Sequence, residues 1–270
     1  MINVCINTDL TNYSGREESP LGLGFSATPE IPGTIMNGKD GHYYIVKKGS
    51  KYKKWEKIEI NVNELPKDCY YESKTPITEI IQPNDETGLE EKFGGQYPHF
   101  IEGDVEEWPT DRNNIPYIFL GQWKHPEDKN ILIVCFVNDD LSDTFVFESD
   151  ITIKQIKIQK PDNGKGLECH KIIDYEKNKE LKPLSFLYKR LRLPENDKFE
   201  DHYHEFNSKF NGCKFGGSAM YCQYSKDHDD FNKFLQLSRC SILDFKFGDA
   251  GIAHIYINKY GIWDFQWDCC

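Results

Sequence analysis

The tetrapeptide Lys92-Phe93-Gly94-Gly95 returns as Lys214-Phe215-Gly216-Gly217, and this recurrence narrows the possible folds more than any other feature of the chain. Downstream of the first copy come Phe119-Leu120-Gly121-Gln122 and an apolar run ending Cys135-Phe136-Val137-Asn138. Downstream of the second come Phe234-Leu235-Gln236-Leu237 and then Ala253-His254-Ile255-Tyr256-Ile257-Asn258. The order is the same both times: a Gly-Gly turn, an irregular polar stretch, a Phe-Leu strand, and a strand closing on Asn. A glycine pair permits positive φ or close backbone approach, and a Gln near a strand end can satisfy stray backbone donors and acceptors together. Two such β-units would bury their apolar faces against one another. The expectation is a β-dominated α+β fold: two similar strand-rich halves from an internal duplication, packed as one core with a few helices. The halves fall at about residues 78–160 and 200–270.

Residues 1–77 read as a β-rich N-terminal segment of unassigned type, either folding by itself or packing onto the duplicated core. Gly22, Gly24, Pro29, Pro32 and Gly33 punctuate its start and leave no helical period. Tyr43–Val46 and Ile58–Val62 form an expected strand pair. Between them, Lys47 to Trp55 reads as a solvated hairpin tip whose lysines discourage edge pairing. Further strands are expected at Tyr117–Leu120, Ile131–Val137, Thr144–Phe147 and Ile151–Ile158, the last from clean alternation. Helices are expected only around Leu184–Leu193 and Phe199–Phe210. In the second, Phe199, Tyr203, Phe206 and Phe210 recur at helical spacing and place their rings on one core-facing stripe.

With these pieces in order, a resemblance emerges. Lys92-Phe93-Gly94-Gly95, then Glu107-Trp108-Pro109, then Pro116-Tyr117-Ile118-Phe119-Leu120-Gly121-Gln122 resembles the first half of the YwqG-like family, a bacterial domain of unknown function. Phe234-Leu235-Gln236-Leu237, Phe247-Gly248-Asp249-Ala250-Gly251, Ile255-Tyr256-Ile257 and the closing Cys269-Cys270 are similar to that family's ending. The similarity spans residues 78–270, and residues 1–77 depart from the family's usual helical lead-in. It implies a β-dominated α+β domain of two similar halves, with no established reaction, cofactor or catalytic residue. Its structural motif positions here are Lys92, Gly94, Gly95, Gln122, Gly216, Gly217, Gly248, Asp249 and Gly251. Members are often encoded near polymorphic toxins, which implies an immunity role for some of them.

The search for chemistry leaves little. The chain contains no P-loop, G-x-G-x-x-G, G-x-S-x-G or H-E-x-x-H sequence,. Asp201-His202-Tyr203-His204-Glu205 and Asp227-His228-Asp229-Asp230 hold metal-ligand residue types, but a helix points His202 and His204 to different sides. They read as solvated polar segments, with no metal and no cofactor expected. Cys169 and His170 are sequence neighbours whose side chains diverge on a strand, so no nucleophile pair is expected there. Asp249, between two glycines, reads as a turn residue bonding its own backbone. Nine cysteines at irregular spacing, without C-x-x-C, argue against a disulfide framework and fit free thiols in a reducing compartment. The start of the chain lacks a secretory pattern and the longest apolar run is seven residues, so the cytoplasm is the expected address.

With 44 acidic against 33 basic residues, net charge is −11. That field repels nucleic acid and anionic membrane and favours a basic partner. The chain is read as a non-enzymatic binding protein, and more sharply, from the immunity role that the resemblance implies together with this acidity, as an immunity protein covering the active site of a cognate protein toxin, which a basic surface would suit. The candidate contact residues are Glu102, Asp104, Glu106, Glu107, Asp139, Asp140, Asp227, Asp229 and Asp230, with Trp108 or Trp123 as anchors. Two alternatives are a metal-dependent hydrolase or other enzyme with a site between the halves, and a scaffold that binds a peptide at a sheet edge.

Overall fold

Ile131–Val137, the longest apolar run of the chain, forms a strand with no face left for water. Ile133, Cys135 and Val137 enter one core with Phe93, Trp123 and Leu235. Leu132, Val134 and Phe136 enter another with Phe100, Trp108 and Phe119. A strand covered on both sides reads as a continuous apolar run, since alternation is lost when neither face is wet. The computed structural model describes residues 3–101, 105–158, 160–219, 231–238, 247, 251–258 and 260–269, with the backbone alone at 231–233.

The chain divides into two compact units, Met1–Tyr71 with Glu180–Lys209, and Glu72–Lys179 with Phe210–Cys270. The first unit contains the hairpin β1 (Asn3–Cys5) and β2 (Thr8–Tyr13), and a three-stranded sheet of β3 (Ile35–Asn37), β4 (Tyr43–Lys48) and β5 (Lys53–Ile58). It also holds the helices α1 (Leu184–Leu191) and α2 (Asp197–Asn207). Asn196 caps α2 by accepting from the Phe199 N–H at 3.1 Å,. Phe199, Tyr203 and Phe206 face a core with Tyr43, Leu181 and Leu187, as the ring stripe predicts. Phe210 instead ends a short 3-10 turn, Ser208–Phe210, beyond the helix.

In the second unit, one antiparallel sheet of ten strands dominates. Its order is β11 (Thr144–Asp150), β10 (Ile131–Val137), β9 (Ile118–Lys124), β7 (Lys92–Phe93), β13 (His170–Leu181), β6 (Tyr70–Ile80), β14 (Lys214–Gly216), β15 (Phe231–Ser238), β16 (Ile252–Asn258) and β17 (Trp263–Asp268). β6 and β13 carry the chain from one unit into the other and back. The sheet curls until its outer strands meet: the Trp263 indole donates to Glu148 Oε1 at 2.9 Å, and that of Trp267 to the Leu141 carbonyl at 3.1 Å. The result is a nearly closed, barrel-like sheet. A short pair, β8 (Phe100–Ile101) with β12 (Gln155–Ile156), flanks it. With 41% strand and two α-helices, the fold is β-dominated, as expected.

Several expectations change. Residues 180–209, with both helices, belong to the unit begun by residues 1–71, so a simple division at residue 77 does not describe the chain. The Tyr43 hairpin is tighter than read, pairing Tyr43 with Ile58 and Lys48 with Lys53. Lys53 to Trp55 are therefore strand, and the segment past Ile58 is not. Ile60 and Val62 still pack against the core, which is why they imitate strand alternation. Of Ile151–Ile158 only Gln155–Ile156 is strand, because the Asp150 carboxylate accepts from both Thr152 N and Thr152 Oγ1 (2.8 and 2.7 Å) and turns the chain at the end of β11. Its isoleucines Ile151, Ile156 and Ile158 fill gaps in the Phe100 core. Cys213 is disulfide-bonded, contrary to the reading of free thiols throughout, while Cys5, Cys69, Cys135, Cys169 and Cys269 are free. Irregular spacing along the chain does not report which sulfurs a sheet brings together. Among the described residues no helix is long and apolar enough to cross a membrane.

Asp40 gives the first unit a pH dependence. Burial would raise its pKa, but hydrogen bonds from the His42 N–H, Lys57 and Tyr44 outweigh it and hold the carboxyl down at about 2. A depressed carboxyl contributes stability above its unfolded value of 3.8 and loses it as pH falls towards about 2,. Asp40→Asn is expected to lower the thermal midpoint at pH 5, and the gap from the parent protein should close between pH 4 and pH 2. Thermal scans by circular dichroism across that range check this; a gap independent of pH would refute it.

Candidate functional site

The repeated tetrapeptide proves to be a structural knot. Lys92 on β7 sits opposite Gln122 on β9 and Lys171 on β13, with its side chain fully buried. Its ammonium donates to Glu86 Oε2 at 2.8 Å and to the Tyr97 carbonyl at 2.9 Å, with Glu90 Oε2 3.6 Å away. Glu86 also accepts from the backbone N–H groups of Gln96 and Tyr97. Gly94 and Gly95 turn the chain here with φ of +64° and +102°. A Cβ at Gly95 would lie 2.6 Å from Glu86 Oε2, so the glycine is what lets the carboxylate reach the lysine. Gln122 works on both its sides, as its position suggests: Oε1 accepts from His99 N, and Nε2 donates to the Gly88 and Glu90 carbonyls.

The second tetrapeptide has the same register. Lys214, also buried, sits opposite Gln236, whose Nε2 reaches the Gly212 carbonyl at 3.2 Å. Gly216 and Gly217 again take positive φ. Gly251 is buried between the carbonyls of Phe247 and Asp268, while Gly248 and Asp249 lie outside the described residues.

Nucleophilic chemistry finds poor ground nearby. Burial, reinforced by the Glu86 charge, pushes the Cys169 thiol up to about 12, so it stays protonated at neutral pH. Burial lowers the His99 pKa from its ordinary value, and Nδ1 lies 2.7 Å from Ser149 Oγ. His202 lines a cavity of about 450 Å³ in the first unit with His42, Lys198 and Glu205, whereas His204 packs its ring on Tyr203. The two histidines part as helix geometry requires. Among the described residues no group of three or more His, Cys, Asp or Glu side chains is placed to hold a metal ion.

The expected contact residues divide. Trp108 and Trp123 are 4% and 0% exposed, so neither ring is offered to a partner. Trp108 donates to the Tyr117 carbonyl at 2.9 Å and Trp123 packs on Phe93; large rings supply the core of a chain short of aliphatic residues. Glu106, Glu107, Asp139 and Asp140 are exposed. The Trp108–Tyr117 bond and a 2.6 Å bond from the Tyr117 hydroxyl to Asp143 gather them at one end of the sheet. Burial first, then the hydrogen bond to Asp143 and the charges of Asp143 and Asp111, push the Tyr117 pKa upwards. Asp140 is held below its ordinary pKa by Ser142, whose hydroxyl and N–H both donate to it, and Asp139 pairs with Lys165. Glu102, Asp104, Asp227, Asp229 and Asp230 lie outside the described residues.

Sequence reasoning missed a concavity of about 1000 Å³ in the second unit. Lysines from β6, β13 and the β9–β10 turn line it beside Tyr175, Phe215 and Phe234. Its β13 contribution includes Tyr175, Lys177 and Lys179, at a spacing of two that places these three on one face, together with Asn178. That signal was present but masked by the polarity of the whole strand.

No protein-family model matches the chain, and no curated protein matches it.

The buried ion pair sets a clear expectation. Lys92→Met leaves Glu86 charged and unmatched in the interior and should cost about 3–5 kcal/mol. Adding Glu86→Gln should recover at least half of that loss, since the amide oxygen still accepts from Gln96 and Tyr97. Urea unfolding followed by tryptophan fluorescence reads mainly the second unit, which holds Trp108, Trp123, Trp263 and Trp267. A double variant no more stable than the single one would show that the ion pair is not what matters.

Proposed function

We propose that this chain is a non-enzymatic binding protein of the YwqG-like kind, an immunity protein that neutralises a cognate bacterial toxin in the cytoplasm. The observation that carries the reading is the acidic end of the second unit. Glu106, Glu107, Asp139 and Asp140 stand exposed on turns tied together through Trp108, Tyr117 and Asp143. Preformed, like-charged carboxylates steer a basic partner into place and lose little freedom when it docks. The net charge of −11 extends that field. With both candidate tryptophans buried, anchoring falls to other residues of the same end.

The same reading includes an internal duplication. The sheet order supports it, running outward from the central pair as β7, β9, β10, β11 on one side and β14, β15, β16, β17 on the other. So does the shared register of Lys92 with Gln122 and Lys214 with Gln236. The alternative of peptide addition at a sheet edge has less to recommend it, because the Trp263 and Trp267 indoles already bond residues of β11 and its turn,.

The test is co-expression with the product of the neighbouring gene, reading growth rescue and a stoichiometric complex. Glu106→Lys, Glu107→Lys, Asp139→Lys and Asp140→Lys combined should slow association by about tenfold or more at low salt and flatten its salt dependence. Unchanged association and salt dependence would remove the acidic end from the interface. Absence of both complex and rescue would remove the immunity function itself.

A further inference from the structure

We propose that the large cavity of the second unit binds a nucleoside phosphate, with the base against the Tyr175 and Phe215 rings and the phosphates among Lys74, Lys177 and Lys179. The proposal is independent of the toxin reading and uses a different part of the sheet. In a chain where acidic residues outnumber basic ones by 44 to 33, this cavity inverts the ratio, with five lysines and a histidine against three glutamates.

One glutamate is already engaged. Glu91 accepts from the Tyr175 hydroxyl at 3.0 Å and pairs with the Lys124 ammonium at 3.3 Å. Among the described residues no carboxylate lies within 4.0 Å of the ammonium groups of Lys74, Lys129, Lys177 or Lys179. Gathering five lysines around a concavity with only three carboxylates is unfavourable in the empty protein, and an anion relieves it. Lysine is well suited to the task as a mobile point charge for phosphate.

The walls specify more than charge. Lys74 Nζ lies 5.8 Å from the Tyr175 ring centroid. Tyr175 meets Phe215 edge-on at 5.5 Å, and Phe215 meets Phe234 at 5.5 Å. Tyr175 and Phe215 are half-buried, so each keeps part of its surface turned to the cavity it lines. Phosphate alone needs no rings, whereas a flat base beside a phosphate uses both features, as in proteins that stack bases above a basic groove. A volume of about 1000 Å³ sits at the upper end for small-ligand sites and holds base, sugar and phosphates together. The acidity of the whole chain repels long polyanions, which favours a free nucleotide over a nucleotide within a strand.

The experiment is calorimetric titration of the full chain with ADP, adenosine, tripolyphosphate, a single-stranded hexanucleotide and a hexaglutamate peptide, at 50 and 300 mM salt. The expected result is saturable binding of one ADP per chain, tighter than adenosine or tripolyphosphate and weakened by salt. Lys177→Ala with Lys179→Ala should reduce ADP affinity tenfold or more. Both side chains are exposed on β13, so the fold should tolerate the change, and Lys48→Ala in the first unit should have no effect. Binding of ADP without the hexanucleotide assigns the free nucleotide as the source. Comparable binding of both assigns a nucleotide within a strand. No saturation by ADP, equal affinity for tripolyphosphate, indifference to the Lys177 and Lys179 changes, or preference for hexaglutamate would each overturn the proposal.

Discussion

The Lys92 ammonium lies where no water reaches it, and everything around it is arranged as a consequence. An unmatched charge in that position costs several kcal/mol, so Glu86 and the Tyr97 carbonyl must stand close to it,. This requirement folds residues 86–97 back on themselves, and that turn needs a residue without a Cβ beside the carboxylate. Gln122 then ties the next strand to the same segment through three backbone groups. One ion pair thus joins a loop, a two-residue strand and the middle of the large sheet. Such a short β7 would hold little by its ladder alone, since it contributes only two residues to each neighbour.

How much of this was legible follows from which faces are wet. β10 could be read to the residue because both its faces are buried and its sequence is unbroken by polar groups. The α2 stripe was legible for the related reason that a helix with one dry face repeats its rings at fixed spacing. β6 and β13 were not, although they form the centre of the sheet. Half of β13 is charged and β6 mixes polar residues with Pro76, so neither is dry enough to advertise its period. Ile151–Ile158 failed in the opposite direction, since three isoleucines packing around a turn imitate a strand. Gln122 was recognised for its role, but Glu86, the partner of Lys92, was not, because a lone Glu after a Pro-Asn-Asp turn resembles solvated surface. The lysine cavity was hidden for want of its two central strands.

Charge in the second unit is spread unevenly along its strands. The β9–β10 turn brings Lys124 and Lys129 together with Glu127 and Asp128 to one end of β10, a balanced set, and the β10–β11 turn brings Asp139, Asp140 and Asp143 to the other, where the turn itself is purely acidic. Seven extended residues separate the two turns by about 20 Å, roughly twice the screening length at physiological salt. Each end therefore presents its own field to a partner, and the net charge of the chain describes neither. The aromatic residues divide in the same way, with Trp108 and Trp123 spent on packing and Tyr175 and Phe215 left partly open.

The interleaving of the two units bears on the order in which the chain acquires structure. Residues 180–209 complete the unit begun by residues 1–71, and β14 pairs with β6 some 140 positions earlier in the chain. Neither unit can finish as it leaves the ribosome: the first waits for its helices, and the second waits for β17 to bring Trp263 and Trp267 against β11. Until then the central strands have open edges, and closure of such distant contacts is slow. The charge on β13 and the exposed polar residues of β6, which hid them as strands, disfavour pairing with other chains while the nascent chain waits,.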